Sequence, residues 1–322
     1  MTIKEVLNSL HDLNVLVIGD IILDIYIHGK VERISPEAPV PVVNHIHTKH
    51  TLGGAANVAA NLKGLGVNTK LVAITGDDIE GEYLETMLEV ENISSHLIKI
   101  ENRPTTSKSR IVSGNHQMLR IDNESHEELA GENAFQLWDL IRRSIESFQP
   151  HAIVLEDYNK GLLSADIIGK ILNEAAGKSI PIIVDPKNIN FYAYTGCCLF
   201  KPNLKECSKQ VPFSLVPVLE SLNKADEYLR SRLHHQYSLI TLAEHGVYIS
   251  DGTNHVLTPT EIRQVSDVSG AGDTVTAIAT IGIIKALSLE QIADLSNKAA
   301  GIVCSKSGVY AITLEELSQC YN

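Results

Sequence analysis

Cysteine, aromatic residues and positive charge are all scarce in this chain of 322 residues. Its 27 lysines and arginines face 39 aspartates and glutamates, which gives a formal net charge of −12. Nucleic acid and anionic membranes are therefore not expected as general partners, because both require a basic face. The five cysteines are odd in number and include no Cys-x-x-Cys pair. Neither a disulfide framework nor a zinc site is predicted, and a reducing compartment is favoured.

Long hydrophobic runs are also absent. The most apolar stretch, residues 275–287, is shorter than the roughly 20 residues that a membrane-spanning helix needs, and it contains Lys285. The N-terminus carries Lys4, Glu5 and Asp12 and lacks the apolar centre of a signal peptide. Because 44% of the residues are hydrophobic, a sizeable core is available. We therefore expect a cytoplasmic globular protein with no membrane contact.

Short β-rich runs alternate with longer helix-like segments. Most of the runs are continuously apolar, as expected of parallel strands that are buried on both faces. This alternation predicts an α/β fold with a doubly wound, mostly parallel sheet, and we expect residues 1–322 to form a single domain. The β-rich runs span residues 15–20, 71–77, 152–157, 180–186, 197–203 and 238–244.

Two segments break this alternation. Residues 24–50 alternate polar and apolar side chains and include prolines, and residues 105–122 are typical of a hairpin that turns at Ser113-Gly114-Asn115. We expect about residues 22–50 and 101–122 to form a small antiparallel β lid over the sheet edge. Exposed strands of this kind often pair between subunits, so a homodimer through the lid is predicted.

Most of the strand-like runs end in a polar or charged residue. In open α/β sheets, ligands bind beyond the carboxyl ends of the strands, so these residues should line one common edge. Any one of them could equally begin an ordinary loop. They are Asp20, Asp77, Asp157, Asp185, Asn203 and Glu244.

The sequence DVSGAGDT, residues 267–274, directly precedes a stretch predicted to be a buried helix. Gly270 and Gly272 would let backbone N–H groups approach a phosphate, and Asp273 would sit beside it as a base. The same residues could also serve only as a helix cap.

Two N-terminal motifs suit a sugar. In GGAAN, Gly53 and Gly54 permit close approach of a ligand to the backbone, and Asn57 can donate to and accept from a hydroxyl. A tightly packed helix would explain these residues equally well. In GDIILD, Asp20 and Asp24 can accept hydrogen bonds from a vicinal diol, and two carboxylates could also hold a metal.

In this order, GGAAN and DVSGAGDT resemble the two signatures of the ribokinase-like, or phosphofructokinase B, carbohydrate kinases. NLKE (203–206) resembles the Asn-x-x-Glu element of that family, and TLAEHG (241–246) resembles its nucleotide-side strand and turn. The resemblance covers essentially the whole chain. It implies a ribokinase-like fold, ATP and Mg²⁺ as cofactors, and transfer of phosphate to a sugar hydroxyl.

Further segments are similar to one branch of this family, the heptose 7-phosphate kinases. That similarity implies phosphorylation of D-glycero-β-D-manno-heptose 7-phosphate at its anomeric hydroxyl, a step toward ADP-heptose and bacterial lipopolysaccharide. It implies the stand-alone form of a kinase that relatives fuse to an adenylyltransferase. A kinase for another sugar, and a non-catalytic sugar sensor on the same fold, remain alternatives. The segments are RISPEAPVPVV (33–43), GDIILD (19–24), QMLRID (117–122), DYNKG (157–161) and DPKN (185–188).

The resemblance assigns roles to individual residues of the substrate side. Gly270, Ala271 and Gly272 would form the anion hole for the transferred phosphate, and Asp273 would be the catalytic base. Substrate binding falls to Asp20, Asp24, Gly53, Gly54, Asn57, Arg33, Arg110, Gln117, Arg120, Asp157, Lys160, Asp185 and Lys187, of which the basic residues are candidates for the phosphate of the sugar.

On the nucleotide side, Glu206 would organise Mg²⁺ through water. Asp267 stands where many relatives bind a monovalent cation, so K⁺ is a further expectation. The residues assigned to the nucleotide are Asn203, Glu206, Thr241, Glu244, Gly246, Asn297 and Gly301.

Glu156, Asn159 and Asn188 depart from the heptose kinase pattern, in which a small residue or glycine is frequent. All three lie on the sugar side, so they bear on substrate identity more than on catalysis.

Overall fold

The computed structural model describes residues 2–114, 116–260 and 265–321. Helices and strands alternate over most of this length, which confirms the predicted α/β class. The strands are β1 (Asn14–Gly19), β2 (Ile21–Ile34), β3 (Pro41–Gly54), β4 (Asn68–Gly76), β5 (Ser94–Ile100), β6 (Ser107–Ser113), β7 (His116–Asn123), β8 (Ala152–Glu156), β9 (Ile182–Asp185), β10 (Leu199–Phe200), β11 (Tyr237–Thr241), β12 (Val247–Ser250) and β13 (His255–Thr258). The helices are α1 (Ile3–Asn8), α2 (Ala55–Gly64), α3 (Ile79–Val90), α4 (Gly131–Phe148), α5 (Ala165–Gly177), α6 (Leu204–Gln210), α7 (Leu219–Leu233), α8 (Ala271–Ile284), α9 (Leu289–Cys304) and α10 (Leu314–Gln319).

The large sheet has nine strands in the order β13-β12-β11-β10-β9-β8-β1-β4-β5. Neighbours from β5 to β11 run parallel, and β12 and β13 complete the sheet with antiparallel pairs. The central strands are buried along their length, as the continuously apolar runs predicted. Strands β5, β12 and β13 are absent from the predicted runs. Strand β5 lies at the sheet edge and has exposed polar residues, so it carries no continuous apolar signal.

The lid is a four-stranded sheet in the order β3-β2-β6-β7. Strands β2 and β3 are antiparallel, as are β6 and β7, which confirms the small antiparallel layer that the sequence predicted. The two hairpins meet along β2 and β6, and that central pair is parallel. A hairpin requires antiparallel strands only within itself, so its sequence does not specify how it meets a second hairpin. Asn115, in the predicted turn of the second hairpin, lies outside the described residues.

Helix α8 is largely buried. Its residues 273–282 are all buried, and it packs against α2 and α9. Enclosure on all sides explains why its sequence is continuously apolar instead of amphipathic. Within the described part of the chain, no helix combines the length and the apolar character needed to cross a membrane. All five cysteines are free thiols.

Candidate active site

The turn before α8 forms a helix N-terminus of the kind that binds anions. Gly270 has φ +81°, in the left-handed region that glycine favours, and the helix begins at the next residue, Ala271. The N–H of Ala271 donates to the Val268 carbonyl at 3.3 Å. Gly272 and Asp273 follow within the first turn, where backbone N–H groups have no acceptor inside the helix. Such N–H groups and the helix dipole together favour negative charge at this point.

The side chain of Asp273 lies buried at this turn, only 3% exposed. Its Oδ2 accepts a hydrogen bond of 2.7 Å from the amide of Asn57, and its Oδ1 accepts one of 3.0 Å from the hydroxyl of Tyr158. Burial raises the pKa of Asp273 to about 6, although both hydrogen bonds act to lower it. A carboxylate with this pKa remains ionised at neutral pH and is a stronger base than an exposed aspartate.

Two further carboxyl groups stand close to Asp273. Single oxygen atoms of Glu156, Asp185 and Asp273 lie within 4.8 Å of one another, and no other potential metal-ligating cluster occurs among the described residues. Glu156 is fully buried, and within the described structure neither of its oxygens has a hydrogen-bond partner. Burial and the neighbouring charges of Asp185 and Asp273 raise its pKa well above the ordinary value, which favours the neutral acid.

The cation nearest to this cluster is a lysine that the sequence analysis missed. Lys201 is 2% exposed, and its Nζ lies 2.8 Å from the Asp185 carboxylate. Burial disfavours the ammonium, but the charge of Asp185 keeps the pKa of Lys201 above its usual value. A β-carbon on Gly272 would lie 3.8 Å from the Lys201 Nζ, so the ammonium stands beside the anion-binding turn. The signal available in the sequence was a single lysine within the apolar run 197–203.

Asp20 presents a buried acceptor at the end of β1. Its Oδ2 accepts hydrogen bonds from the backbone N–H groups of Tyr158 at 2.8 Å and Lys160 at 3.0 Å. Its Oδ1 is buried and has no partner among the described residues. An unpaired buried acceptor is costly, so this atom suits the hydroxyl of a ligand.

Asp24 is held by a lid residue. Its Oδ1 accepts a hydrogen bond from the guanidinium of Arg110, which lies on β6. The backbone of Gly53 passes close to the same carboxylate, since a β-carbon there would lie 2.2 Å from Asp24 Oδ2. Gly54 has φ +58°, and its β-carbon would lie 2.4 Å from the Asp20 carbonyl oxygen. Both glycines are therefore explained by the contact between β2 and β3.

Three of the residues predicted to bind the sugar belong to the lid. Arg33, Gln117 and Arg120 are exposed on the lid strands, and the guanidinium of Arg120 is paired with Asp122 at 2.8 Å. Their assignment to the substrate stays a prediction.

Asp157, also predicted to bind the sugar, is engaged within the fold. It accepts hydrogen bonds of 2.7 Å from the Tyr194 hydroxyl and the Asn159 N–H. These bonds explain its burial without a ligand.

Asn203 and Glu206 form a reciprocal capping box at the start of α6, with two hydrogen bonds of 2.8 Å. The second oxygen of Glu206 pairs with the Lys187 ammonium at 2.8 Å. Asn203 also bridges to Thr241 at the end of β11, so three of the predicted nucleotide-side residues are adjacent. Carboxylate and amide oxygens are the donors that Mg²⁺ prefers. Because Oδ1 of Asn203 and both oxygens of Glu206 are already engaged, this pair fits a metal that it contacts through water.

Gly246 and Asn297 both support the segment after β13. A β-carbon on Gly246, where φ is +95°, would lie 2.0 Å from the Thr258 carbonyl oxygen. The amide of Asn297 donates to the carbonyl oxygens of Thr258 at 3.0 Å and Pro259 at 3.1 Å. Both residues therefore have a structural role that requires no nucleotide.

The remaining residues predicted on the nucleotide side are Glu244, Gly301 and Asp267. Glu244 is exposed, and Gly301 lies on α9 with intermediate exposure. Asp267 accepts a hydrogen bond of 2.9 Å from the N–H of Ser269 and donates its own N–H to the Cys304 carbonyl at 3.2 Å. The binding of a monovalent cation by Asp267 stays a prediction.

Comparison with known sequences identifies relatives over nearly the whole chain. The profile of the pfkB family carbohydrate kinases matches residues 12–316. Bifunctional protein HldE from a Nitratiruptor species is 38% identical over 305 residues, which is 95% of this chain and 64% of that protein. The protein of the same name from Methylobacillus flagellatus is 39% identical over 306 residues, or 95% of this chain and 62% of that protein. The chain therefore spans less than two-thirds of these relatives' length.

Solved structures share the fold at low sequence identity. Phosphofructokinase-2 from Escherichia coli, in complex with substrates and products, has a TM-score of 0.79 and 18% identity, over 96% of this chain and 98% of that chain. Ribokinase from Arabidopsis thaliana, complexed with ribose and ATP, has a TM-score of 0.75 and 18% identity, over 95% and 98%. These similarities confirm the ribokinase-like fold. Because the family profile spans almost the entire sequence, the chain belongs to the pfkB family of carbohydrate kinases and is a sugar kinase.

Proposed function

We propose that the chain phosphorylates the anomeric hydroxyl of D-glycero-β-D-manno-heptose 7-phosphate, giving the 1,7-bisphosphate used for ADP-heptose and surface-glycan synthesis. The observation that carries the kinase chemistry is the buried carboxylate of Asp273 at the N-terminus of α8. The heptose assignment is supported by relatives named HldE, at 38–39% identity over 95% of the chain. The heptose-kinase-like segments of the sequence agree with it.

Asp273 acts as the general base. It accepts the proton of the anomeric hydroxyl, while Asn57 and Tyr158 hold its two oxygens in place. An anomeric hydroxyl is more acidic than other sugar hydroxyls, so a carboxylate with a pKa of about 6 is an adequate base. Loss of such a base costs about 10²–10⁴ in rate.

The chain stabilises the transferred phosphoryl group with preorganised positive charge. The N-terminal turn of α8 offers backbone N–H groups, and Lys201 stands beside Gly272. The anomeric oxygen forms a bond to the γ-phosphorus of ATP and loses its proton to Asp273. The bond from that phosphorus to the β,γ-bridging oxygen breaks, and ADP leaves. Glu206 and Asn203 would organise the Mg²⁺ through water, and Asp267 would hold a K⁺ ion beside the turn.

Asp20 binds a hydroxyl of the sugar. Its Oδ1 is the buried acceptor left without a partner among the described residues, and its Oδ2 is fixed by two backbone N–H groups. An acceptor fixed in this way selects one orientation of the sugar ring.

The proposal extends to assembly and location. The lid strands carry several exposed apolar side chains, which a second copy of the chain would cover in a homodimer. Unpaired cysteines are consistent with a cytoplasmic location. The exposed lid residues are Ile34, Val40, Ile46, Met118, Leu119 and Ile121.

ADP release with Mg·ATP tests the function. The substrates compared are heptose 7-phosphate, unphosphorylated heptose, fructose 6-phosphate and ribose, with Asp273→Asn as the control. We expect turnover to be fastest on heptose 7-phosphate and to fall by about 10²–10⁴ in the control. Faster turnover on another sugar would overturn the heptose assignment alone. Binding without turnover on all four would favour a sugar sensor.

A further inference from the structure

Lys108 is a cation of the site that the sequence analysis did not single out. It lies on lid strand β6 with intermediate exposure. In the sheet register it stands opposite Asp24 on β2 and Asp122 on β7. In the part of the chain that the structure describes, no carboxylate lies within ion-pair distance of its ammonium.

The carboxylates around Lys108 are already neutralised by other cations. Three acidic groups act on it electrostatically, namely Asp24, Asp122 and Glu124. Each of the three forms an ion pair with a different basic residue, and the pairs are Asp24–Arg110, Asp122–Arg120 and Glu124–Lys160. Among these seven residues, three carboxylates are each paired with another cation, and Lys108 is the cation left without an ion-pair partner in the described structure.

This surplus charge is unfavourable without a ligand. Burial lowers the pKa of Lys108, and the nearby charge of Lys160 lowers it further. An anion bound next to Lys108 would relieve both effects, because opposite charge favours the ammonium. The other lysine of the same region, Lys187, has no such surplus, since Glu206 and Asp185 both face it.

Tyr158 contacts both Lys108 and the proposed base, Asp273. The ammonium of Lys108 lies 5.2 Å from the centre of the Tyr158 ring, and the hydroxyl of the same ring contacts Asp273. One tyrosine side chain therefore separates the base from the unmatched cation. Lys187 also lies over this ring, 4.6 Å from its centre, but its ammonium is already paired. A ligand whose hydroxyl meets Asp273 would have Lys108 as the unpaired cation within reach of an anionic group over the ring.

We propose that Lys108 binds the phosphate that the sugar substrate already carries before the reaction. This inference rests on the proposed function, because it deepens the assignment to a phosphorylated sugar. An ammonium is a suitable point charge for a phosphate. The paired cations Arg110, Arg120 and Lys160 would support the site by keeping its carboxylates away from that phosphate.

The test compares each variant on a sugar with and without its phosphate. Steady-state kinetics are measured at saturating Mg·ATP with heptose 7-phosphate and with unphosphorylated heptose. Lys108→Met is expected to lower kcat/KM for heptose 7-phosphate by about 10- to 100-fold, mainly through KM, as for loss of a hydrogen bond to a charged group. The values for unphosphorylated heptose should change little. Lys108→Arg should restore part of the preference.

Lys224→Met is the matched control, because Lys224 also lies over an aromatic ring, 4.4 Å from the centre of Phe213, but on α7. It should leave both substrates unaffected. If Lys108→Met lowers kcat/KM equally on both sugars, or leaves it unchanged, the inference is overturned while the kinase function stands. If another phosphorylated sugar is the better substrate, the heptose assignment fails. The kcat/KM of Lys108→Met is then compared with that of the native chain on that sugar and on its unphosphorylated form. A loss confined to the phosphorylated sugar would support the role of Lys108.

Discussion

The hydroxyl of Tyr158 donates a hydrogen bond of 3.0 Å to Oδ1 of Asp273, across 115 residues of sequence. Burial and the neighbouring charge of Asp273 raise the pKa of Tyr158 well above its ordinary value, so the phenol stays protonated and can only donate. Tyr158 therefore holds one oxygen of the proposed base in place. Because the bond favours the ionised carboxylate, it also counteracts the effect of burial on the pKa of Asp273.

Tyr158→Phe should shift the pH profile of the enzyme. The base must be ionised, so kcat/KM falls as the pH drops through the pKa of Asp273, about 6. Without the hydrogen bond that pKa rises, and the acidic limb should move to higher pH. The measurement is kcat/KM from about pH 5 to 9, the range in which such a carboxylate titrates, with Tyr192→Phe as a control, because the Tyr192 hydroxyl donates to a backbone carbonyl outside this site. A loss of equal size at every pH would contradict the positioning role.

Gly270→Ala should impair both folding and catalysis. The backbone there has φ +81°, and a β-carbon would lie 2.6 Å from the Asn57 amide nitrogen that holds the base. We expect a destabilisation of about 1–3 kcal/mol and a lower kcat.

The matched variant for this test is Gly169→Ala on α5, where a β-carbon meets nothing within 4 Å. It should stabilise the protein by about 0.5–1 kcal/mol and leave kcat unchanged. Urea unfolding and steady-state kinetics measure the two effects. Full activity in Gly270→Ala would show that the turn tolerates a side chain, contrary to this account.

Ile46→Asp should disrupt the proposed homodimer. Ile46 lies on lid strand β3 with 65% of its side chain exposed, and a charge there would oppose burial against a second copy. Sedimentation velocity should show a dimer for the native chain and a monomer for the variant. Ile79→Asp is the control, because Ile79 is also 65% exposed but lies on α3, outside the lid. A native chain that sediments as a monomer would overturn the dimer.

The sequence predicted much of the candidate site because the motifs are local. A glycine turn before an apolar helix and an aspartate in its first turn can be identified within one short segment, residues 267–274, and the structure places α8 directly after that turn. The residues that act on Asp273 are different. Tyr158 and Lys201 lie within segments that were recognised as motif or strand, yet neither residue was singled out. Nothing in their immediate sequence indicates which side chain they meet.

The sequence by itself determined the α/β class, the central strands and the glycine turn before α8, because hydrophobic periodicity and turn chemistry are properties of neighbouring residues. Only the tertiary structure decided which groups surround the base and which cation is left unmatched. Asn57 and Asp273 are 216 residues apart, and their contact exists because α2 packs against α8. Lys108 is surplus because β6 joins β2 in parallel and the neighbouring acids pair elsewhere. Charge balance in a site depends on all the strands that meet there, which no local pattern encodes.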